Sequence, residues 1–147
     1  MNAQGRILII DDDENIRKVV AVLLQDQGYK VDIAESGSEA IEKTGKSHFD
    51  LMLIDIKLPD MEGTELLEKM QDMSPRIRKI MVTGYPTLQN AIASINRGAN
   101  AYIVKPFDVD KMLAVIKTQL EEQTKERKFS EDKVAEFIES RVKELVK

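Results

Sequence analysis

The 147-residue sequence contains no cysteine and a single histidine, His48. The lack of cysteine excludes a disulfide framework and metal sites that are built on thiolates. With one histidine, a metal site made of several imidazoles and a Ser-His-Asp triad are both disfavoured. Any chemistry in this chain must therefore come from carboxylates, hydroxyls, lysines and arginines.

Long apolar runs and long blocks of one charge are also missing. Because the apolar runs span only a few residues, the sequence predicts neither a signal peptide nor a membrane span, and we expect a cytoplasmic protein. The formal net charge is −4, so the chain offers no basic surface for a polyphosphate, and direct nucleic-acid binding is not expected. The length suits about one domain, and neither a repeat nor a low-complexity tract is visible.

Short apolar segments alternate with helical patterns along most of the chain. Apolar residues recur every three or four positions after each segment, and the helices are predicted to end near Gly28, Gly45, Ser74 and Gly98, with Asp108 capping the fifth. The predicted strands are Arg6–Ile10, Val31–Ala34, Asp50–Ile54, Lys79–Thr83 and Ala101–Val104. This alternation predicts an α/β fold, a doubly wound parallel sheet of five strands in the order 2-1-3-4-5.

The pattern changes near Gln119, where the chain becomes highly charged. After Ser130, apolar residues recur at three- and four-residue intervals, which predicts an additional, sixth amphipathic helix whose apolar stripe needs a partner. The stripe consists of Val134, Phe137, Ile138, Val142 and Leu145. We therefore divide the chain into a domain over residues 1–122 and a charged linker with a C-terminal amphipathic helix over residues 123–147.

Acidic residues follow the first and third predicted strands. Asp11 and Asp12 follow the first and Asp55 the third, and these strands are neighbours in the order 2-1-3-4-5, so the carboxylates should meet beyond the carboxyl ends of the strands. Thr83 and Lys105 end the fourth and fifth strands and should rim the same crevice. Carboxylates in close contact repel one another unless a cation binds, and oxygen ligands favour a hard ion such as Mg²⁺.

This set of residues suits phosphoryl transfer to a carboxylate. Asp55 is a weak nucleophile, but it can attack a phosphoryl group whose oxygens are neutralised by Mg²⁺ and by Lys105, with the Thr83 hydroxyl as a further donor. The product would be an acyl phosphate on Asp55.

Four motifs together resemble the receiver domain of two-component response regulators, over roughly residues 5 to 120. They are Ile9–Asp12, Leu53–Asp55 with the later Pro59 and Gly63, Val82–Gly84, and Tyr102–Phe107. An isolated pair of aspartates is weak as a signal, but the ordered set at four strand ends is highly specific. By this resemblance, residues 1–122 would form the receiver domain.

The resemblance implies a role for each residue of the predicted crevice. Asp55 would be the phospho-acceptor, with a phosphohistidine of a sensor histidine kinase or phosphotransfer protein as donor, and the chain would catalyse only its own phosphorylation and dephosphorylation. Mg²⁺ would be bound directly by Asp12, Asp55 and the Lys57 backbone carbonyl, and through water by Asp11. Lys105 would contact the phosphoryl group, and Thr83 and Tyr102 would form the switch pair. The peptide between Lys105 and Pro106 would be cis.

The same resemblance places the switching face on the fourth helix, fifth strand and fifth helix, bordered by Leu88, Ala91, Ile95 and Tyr102. Two copies could pair through this face or through the C-terminal helix, and the sequence leaves open whether that helix docks on its own domain instead. Whether the chain is a fragment of a longer regulator is also open.

Three alternatives fit less well. A Mg²⁺-dependent phosphohydrolase with Asp55 as nucleophile usually carries a second acid two residues later, where this chain has Lys57, and no insertion supplies a lid. A flavodoxin-like nucleotide carrier would need a Gly/Ser/Thr-rich phosphate loop. A calcium loop starting at Asp11 would need glycine and glutamate where Ile16 and Val22 stand.

Overall fold

A computed structural model describes residues 5–84 and 86–145. In this part of the chain five strands form one parallel sheet in the order β2-β1-β3-β4-β5, which confirms the predicted topology. The strands are β1 Arg6–Ile10, β2 Lys30–Ala34, β3 Leu51–Asp55, β4 Arg78–Thr83 and β5 Ala101–Val104. The helices are α1 Glu14–Asp26, α2 Gly37–Lys46, α3 Gly63–Met73, α4 Leu88–Asn96 and α5 Val109–Leu145.

The sheet is buried on both faces, which explains the unbroken apolar runs of its central strands. Alternate residues of β1 and β3 point to opposite sides. Leu8 and Met52 belong to the layer that packs against α2 and α3, whereas Ile7 and Leu51 belong to the layer that packs against α1 and α5. The two layers hold the strand ends in a fixed register, on which the geometry of the site depends.

Side-chain caps start several of the helices. Asp13 accepts hydrogen bonds from the backbone amides of Asn15 and Ile16 at the start of α1, and Asp108 accepts one from Lys111 at the start of α5, as predicted. Gly45 does not end α2, which continues to Lys46, because a glycine within a helix lowers its stability without breaking it.

The predicted C-terminal amphipathic helix is present, but as the second half of α5. The prediction of a linker and a separate sixth helix is wrong, since α5 runs without a break from Val109 to Leu145. The charged residues from 121 to 128 are mostly glutamate, glutamine, lysine and arginine, all strong helix formers, and neither glycine nor proline interrupts them. Within residues 5–84 and 86–145, no helix combines the length and apolarity needed to cross a bilayer.

Candidate functional site

Three carboxylates converge at the carboxyl end of the sheet. Asp11 and Asp12 directly follow β1, and Asp55 is the last residue of β3, one residue beyond the predicted strand end. Ile10 pairs with Ile54 in the parallel register, so the chain positions that follow lie side by side. One carboxylate oxygen from each of Asp11, Asp12 and Asp55 lies within 4.8 Å of the others. The structure thus brings together the acidic residues that the sequence predicted to meet.

Lys105 completes the crevice from the far side. Its ammonium nitrogen lies 2.7 Å from Asp11 Oδ2 and 3.5 Å from Asp55 Oδ2, and its side chain is 17% exposed. The backbone amide of Lys105 donates to the Thr83 carbonyl, which fixes the loop after β5 against the end of β4. The peptide between Lys105 and Pro106 is cis, as the resemblance implies.

Burial and charge work against ionisation of Asp55. Burial, followed by the negative charge of Asp11, raises the pKa of Asp55 to about 6, although Lys105 and the backbone amide of Lys57 favour its ionised form. Burial alone would lower the pKa of Lys105, but hydrogen bonding and charge from Asp11 and Asp55 outweigh it, so that this pKa is raised. Lys105 therefore remains protonated, whereas the ionised form of Asp55 is disfavoured.

The donor chemistry of the cluster fits a hard divalent cation. Three carboxylates from neighbouring strand ends supply oxygen ligands only, and they repel one another in a partly buried crevice. A cavity of about 10 Å³ touches Asp11 and Asp55, but its other lining residues are apolar, so the converging carboxylates and not this cavity mark the ion site. Lys57 follows Asp55 by two residues and pairs with Glu62 across the loop after β3.

A glycine allows that loop to close tightly. A Cβ at Gly63 would lie 2.1 Å from the Asp55 carbonyl oxygen, so no other residue fits where α3 begins without moving the backbone. The first turn of α3 therefore lies directly against the strand end that carries Asp55.

Thr83 lies on the strand next to Asp55, and Tyr102 lies on the strand after that. Thr83 is buried at the end of β4, directly after Val82, the residue that pairs with Asp55. Tyr102 pairs with Met81 on the neighbouring strand, and its half-buried ring packs against the core layer of α2 and α3. Its hydroxyl has no hydrogen-bond partner within the described ranges, and burial raises the pKa of Tyr102.

Sequence reasoning missed Arg17. Its buried guanidinium donates to the Asp11 carbonyl at 2.7 Å and to Glu35 at 3.2 Å, which holds the backbone of the acidic cluster from the side of α1. Arg17, Val20 and Leu24 are the buried residues of α1, whereas the neighbouring Val19 is exposed. An arginine at helical spacing with two buried aliphatic residues was the signal that could have identified it.

A second cavity lies at the opposite end of the sheet. It measures about 800 Å³ and is lined by polar and basic residues, among them His48, Arg76, Arg78 and Arg127. None of the residues predicted for the site lines it. Size alone would therefore point away from the converging carboxylates, and the chemistry of the side chains locates the site better.

Comparisons with known proteins agree with this geometry. The model of the response regulator receiver domain family matches residues 7–117. The chain is 32% identical over 124 residues to the regulatory protein AtoC of Escherichia coli K12, covering 84% of this chain and 27% of AtoC. This chain thus spans about a quarter of the length of that relative.

Solved structures show the same fold. A CheY-like receiver domain from Methanospirillum hungatei JF-1 superposes with a TM-score of 0.81 at 49% identity, covering 84% of this chain and 99% of that one. The BeF3-activated DrrB receiver domain gives a TM-score of 0.75 at 28% identity, covering 81% and 99%. With the family match extending over more than half of the chain, we conclude that this protein belongs to the response regulator receiver domain family.

Proposed function

We propose that Asp55 accepts a phosphoryl group from a phosphohistidine of a sensor histidine kinase or phosphotransfer protein in a Mg²⁺-dependent step. The observation that carries this proposal is the convergence of Asp11, Asp12, Asp55 and Lys105 at one end of the sheet. The family match and the activation of the DrrB receiver domain by BeF3 support it. The bond between phosphorus and the donor nitrogen breaks as a carboxylate oxygen of Asp55 bonds to phosphorus.

Each side chain has a separate task in this step. By the family resemblance, Asp12, Asp55 and the Lys57 carbonyl would hold Mg²⁺ directly and Asp11 would hold it through water, and the bound ion would neutralise charge on the phosphoryl oxygens. Lys105 pairs with another phosphoryl oxygen, for which its raised pKa keeps it protonated.

The new charge on Asp55 then biases a conformational switch. The Thr83 hydroxyl turns to donate to a phosphoryl oxygen, and the Tyr102 ring fills the space that Thr83 leaves. Tyr102 suits this role because its hydroxyl has no hydrogen-bond partner among the described residues, so the ring can turn without breaking such a bond. The affected face comprises α4, β5 and the first part of α5.

The second half of α5 is a surface for a second copy of this chain. Residues 124–145 add about 33 Å of helix and are exposed throughout, including the apolar stripe of Val134, Phe137, Ile138, Val142 and Leu145. The stripe continues the three- and four-residue spacing of the buried residues Met112, Ile116, Gln119 and Gln123. Pairing of two such helices, or of two switching faces, would bury apolar surface that α4 and α5 expose.

Sedimentation velocity with and without beryllofluoride and Mg²⁺ tests this pairing. We expect the mimic to shift the protein towards a dimer, and a double Phe137→Asp, Ile138→Asp variant to stay monomeric. An unchanged sedimentation coefficient on addition of the mimic would contradict a dimer that the switch controls.

Several expectations from the sequence stay predictions. They are the division into a receiver domain over 1–122 and a C-terminal segment over 123–147, the cytoplasmic location, and the lack of catalysis beyond the chain's own phosphorylation and dephosphorylation. Direct nucleic-acid binding is still not expected of this chain, although two relatives that it matches over about a quarter of their length are called transcriptional regulatory proteins. A phosphohydrolase with Asp55 as nucleophile is not favoured, because Lys57 stands where such an enzyme usually carries a second acid.

Intact mass after incubation with acetyl phosphate and Mg²⁺ tests the acceptor. We expect one phosphoryl increment on the wild type and none on Asp55→Asn. Asp50→Asn is the matched control, since Asp50 precedes the same strand at its other end, and it should be modified like the wild type. An increment on Asp55→Asn, or none on the wild type, would overturn the proposal.

A further inference from the structure

The loop between β3 and α3, residues 56–62, carries the Lys57 carbonyl, and we name it the acceptor loop. It folds back on itself, with the Leu58 amide donating to the Met61 carbonyl and with Lys57 bridged to Glu62. It leaves the sheet at Asp55 and returns to it at Gly63. At the sheet end of this loop, Ile56 is buried and its amide donates to the Val82 carbonyl, so the part of the loop that remains to be held is its tip.

Asp60, at the tip of the acceptor loop, reaches across to the start of α2. Its Oδ1 accepts a hydrogen bond from the Gly37 amide at 2.9 Å. Its Oδ2 accepts one from the Ser38 amide at 2.9 Å and one from the Ser38 hydroxyl at 2.7 Å. These three bonds lower the pKa of Asp60 to about 2, with the Ser38 hydroxyl as the largest cause.

Packing accompanies the hydrogen bonds. A Cβ at Gly37 would lie 2.4 Å from the sulfur of Met61, so the acceptor loop and the first turn of α2 are in direct contact. Gly37 is buried beneath that contact. The tip of the loop is therefore held by the start of α2, more than 20 residues away in the sequence.

The Asp60 bonds are additional to an ordinary cap of α2. Ser36 already caps this helix by accepting from the Glu39 amide at 3.1 Å. Removing Asp60 would thus leave α2 with its own cap, but would leave the tip of the acceptor loop held by the Met61 packing without these three hydrogen bonds. The contribution that is specific to Asp60 falls on the loop.

We propose that Asp60 is a positioning residue, which fixes the acceptor loop so that the Lys57 carbonyl is set in advance to bind Mg²⁺ beside Asp55. This inference rests on the proposed function and adds a residue that acts through Lys57 without touching the ion. Without these three hydrogen bonds the loop has more conformational freedom to lose when Mg²⁺ binds, and that loss weakens binding. Second-layer partners of metal ligands generally act in this way.

Calorimetric titration of Mg²⁺ into the full chain, with the rate of phosphoryl uptake from acetyl phosphate, tests the inference. For Asp60→Ala we expect about tenfold weaker Mg²⁺ binding, with uptake slow at limiting Mg²⁺ and restored at saturating Mg²⁺. Asp60→Asn keeps an accepting oxygen and should recover part of the affinity.

Ser36→Ala is the matched control, because it removes a cap from the same helix without touching the acceptor loop. It should lower the thermal midpoint about as much as Asp60→Ala, yet leave Mg²⁺ affinity within about twofold of the wild type. Equal losses of Mg²⁺ affinity in the two variants, or no loss in Asp60→Ala, would overturn the inference about Asp60. The proposed function would still stand if the wild type takes up a phosphoryl group. A wild type that takes up none would overturn both.

Discussion

Two lysines lie at opposite ends of the sheet, and their surroundings differ. Lys105, after β5, faces Asp11 and Asp55, and their charges raise its pKa. Lys79, in β4, is fully buried, and its ammonium group donates to the carbonyls of Ser74 and Ile77 and to the Gln71 side chain. Burial, followed by the charge of Arg78, lowers the pKa of Lys79 to about 8.

The difference separates a cation kept for chemistry from a cation used for structure. Lys105 is surrounded by more negative charge than it neutralises, so it remains charged and can pair with a phosphoryl oxygen. Lys79 is surrounded by neutral acceptors just after α3, namely the carbonyls of Ser74 and Ile77 and the Gln71 side chain. Burial is therefore a poor guide to function in this chain, whereas the charge of the neighbours is a good one.

Replacing each lysine by methionine tests this contrast most strongly. Lys105→Met should slow phosphoryl uptake from acetyl phosphate by about a hundredfold, since one preorganised charge is removed from the transferring oxygens. Lys79→Met should leave the rate within about twofold of the wild type, because no part of Lys79 faces the site. Rates are measured at equal protein and saturating Mg²⁺, on samples shown to be folded by circular dichroism.

A comparable slowing in both folded variants would mean that the two ends of the sheet are not independent. A normal rate in Lys105→Met would remove Lys105 from the proposed mechanism.

The lowered pKa of Lys79 predicts that the free energy of unfolding changes with pH in the alkaline range. Between about pH 8 and 10.5 the unfolded chain keeps a proton on Lys79 that the folded chain has released, so the free energy of unfolding rises with pH in this window. The rise should be about 2 kcal/mol, less than the full shift implies because the carbonyls also stabilise the ammonium form. Below pH 8 the contribution of Lys79 is constant.

Urea unfolding of the wild type and Lys79→Met at several pH values measures this effect. The difference between the two proteins isolates Lys79 from tyrosines and other lysines that titrate in the same range. Parallel pH profiles for both proteins would show that Lys79 keeps an ordinary pKa in the fold.

The contrast between the lysines also shows what a sequence can predict. The strand ends could be predicted because apolar runs stop at Asp11, Asp55, Thr83 and Lys105, and a parallel sheet brings its carboxyl ends together. Lys79 carried no such signal, since a lysine at the start of an apolar strand is usually exposed. Its burial depends on where the loop after α3 places its carbonyls.

Contacts between distant loops were equally invisible. Asp60 meets Gly37 and Ser38 only because the loop after β3 lies beside the start of α2, and no periodic pattern in the sequence signals that contact. The continuity of α5 could not be predicted from charge, since the charged run from 121 to 128 suggests a linker although its residues have high helix propensity. Periodicity thus predicts elements and strand ends, while pairings between loops need coordinates.

Repulsion between the carboxylates beside Lys105 should lower the free energy of unfolding when Asp55 is ionised. The folded-state pKa of Asp55 is raised to about 6, so the folded chain binds more protons than the unfolded chain between about pH 4 and 6. Ionised Asp55 therefore destabilises the fold above pH 6, and this penalty is relieved as the pH falls towards 4. Without Mg²⁺, Asp55→Asn should be more stable than the wild type by about 1 kcal/mol at pH 7.5.

Urea unfolding in the presence of a chelator measures that gain, and the difference should shrink towards pH 4. Addition of Mg²⁺ should stabilise the wild type more than the variant, because the ion binds the ionised carboxylate. A variant that is less stable than the wild type at pH 7.5 would show that Lys105 fully compensates Asp11 and Asp55.

The smallest effect is expected at the other end of the sheet, where α5 leaves the body of the protein. Arg78 contacts the Glu126 carboxylate at 2.6 Å, but the Glu126 side chain is 73% exposed, so Glu126→Gln should cost only about 0.5 kcal/mol of unfolding free energy. Gln123, one helical turn earlier, is buried and donates to the carbonyls of Asp50 and Arg76 at 2.9 Å and 2.8 Å. Gln123→Ala leaves both carbonyls without this donor and should cost about 1 kcal/mol or more. Urea unfolding of both variants measures the two costs. If Glu126→Gln costs more than Gln123→Ala, the ion pair holds α5 here more strongly than the hydrogen bonds from Gln123 to the carbonyls. The contrast between an end of the sheet held by charges and an end held by carbonyls would then apply to the two lysines alone.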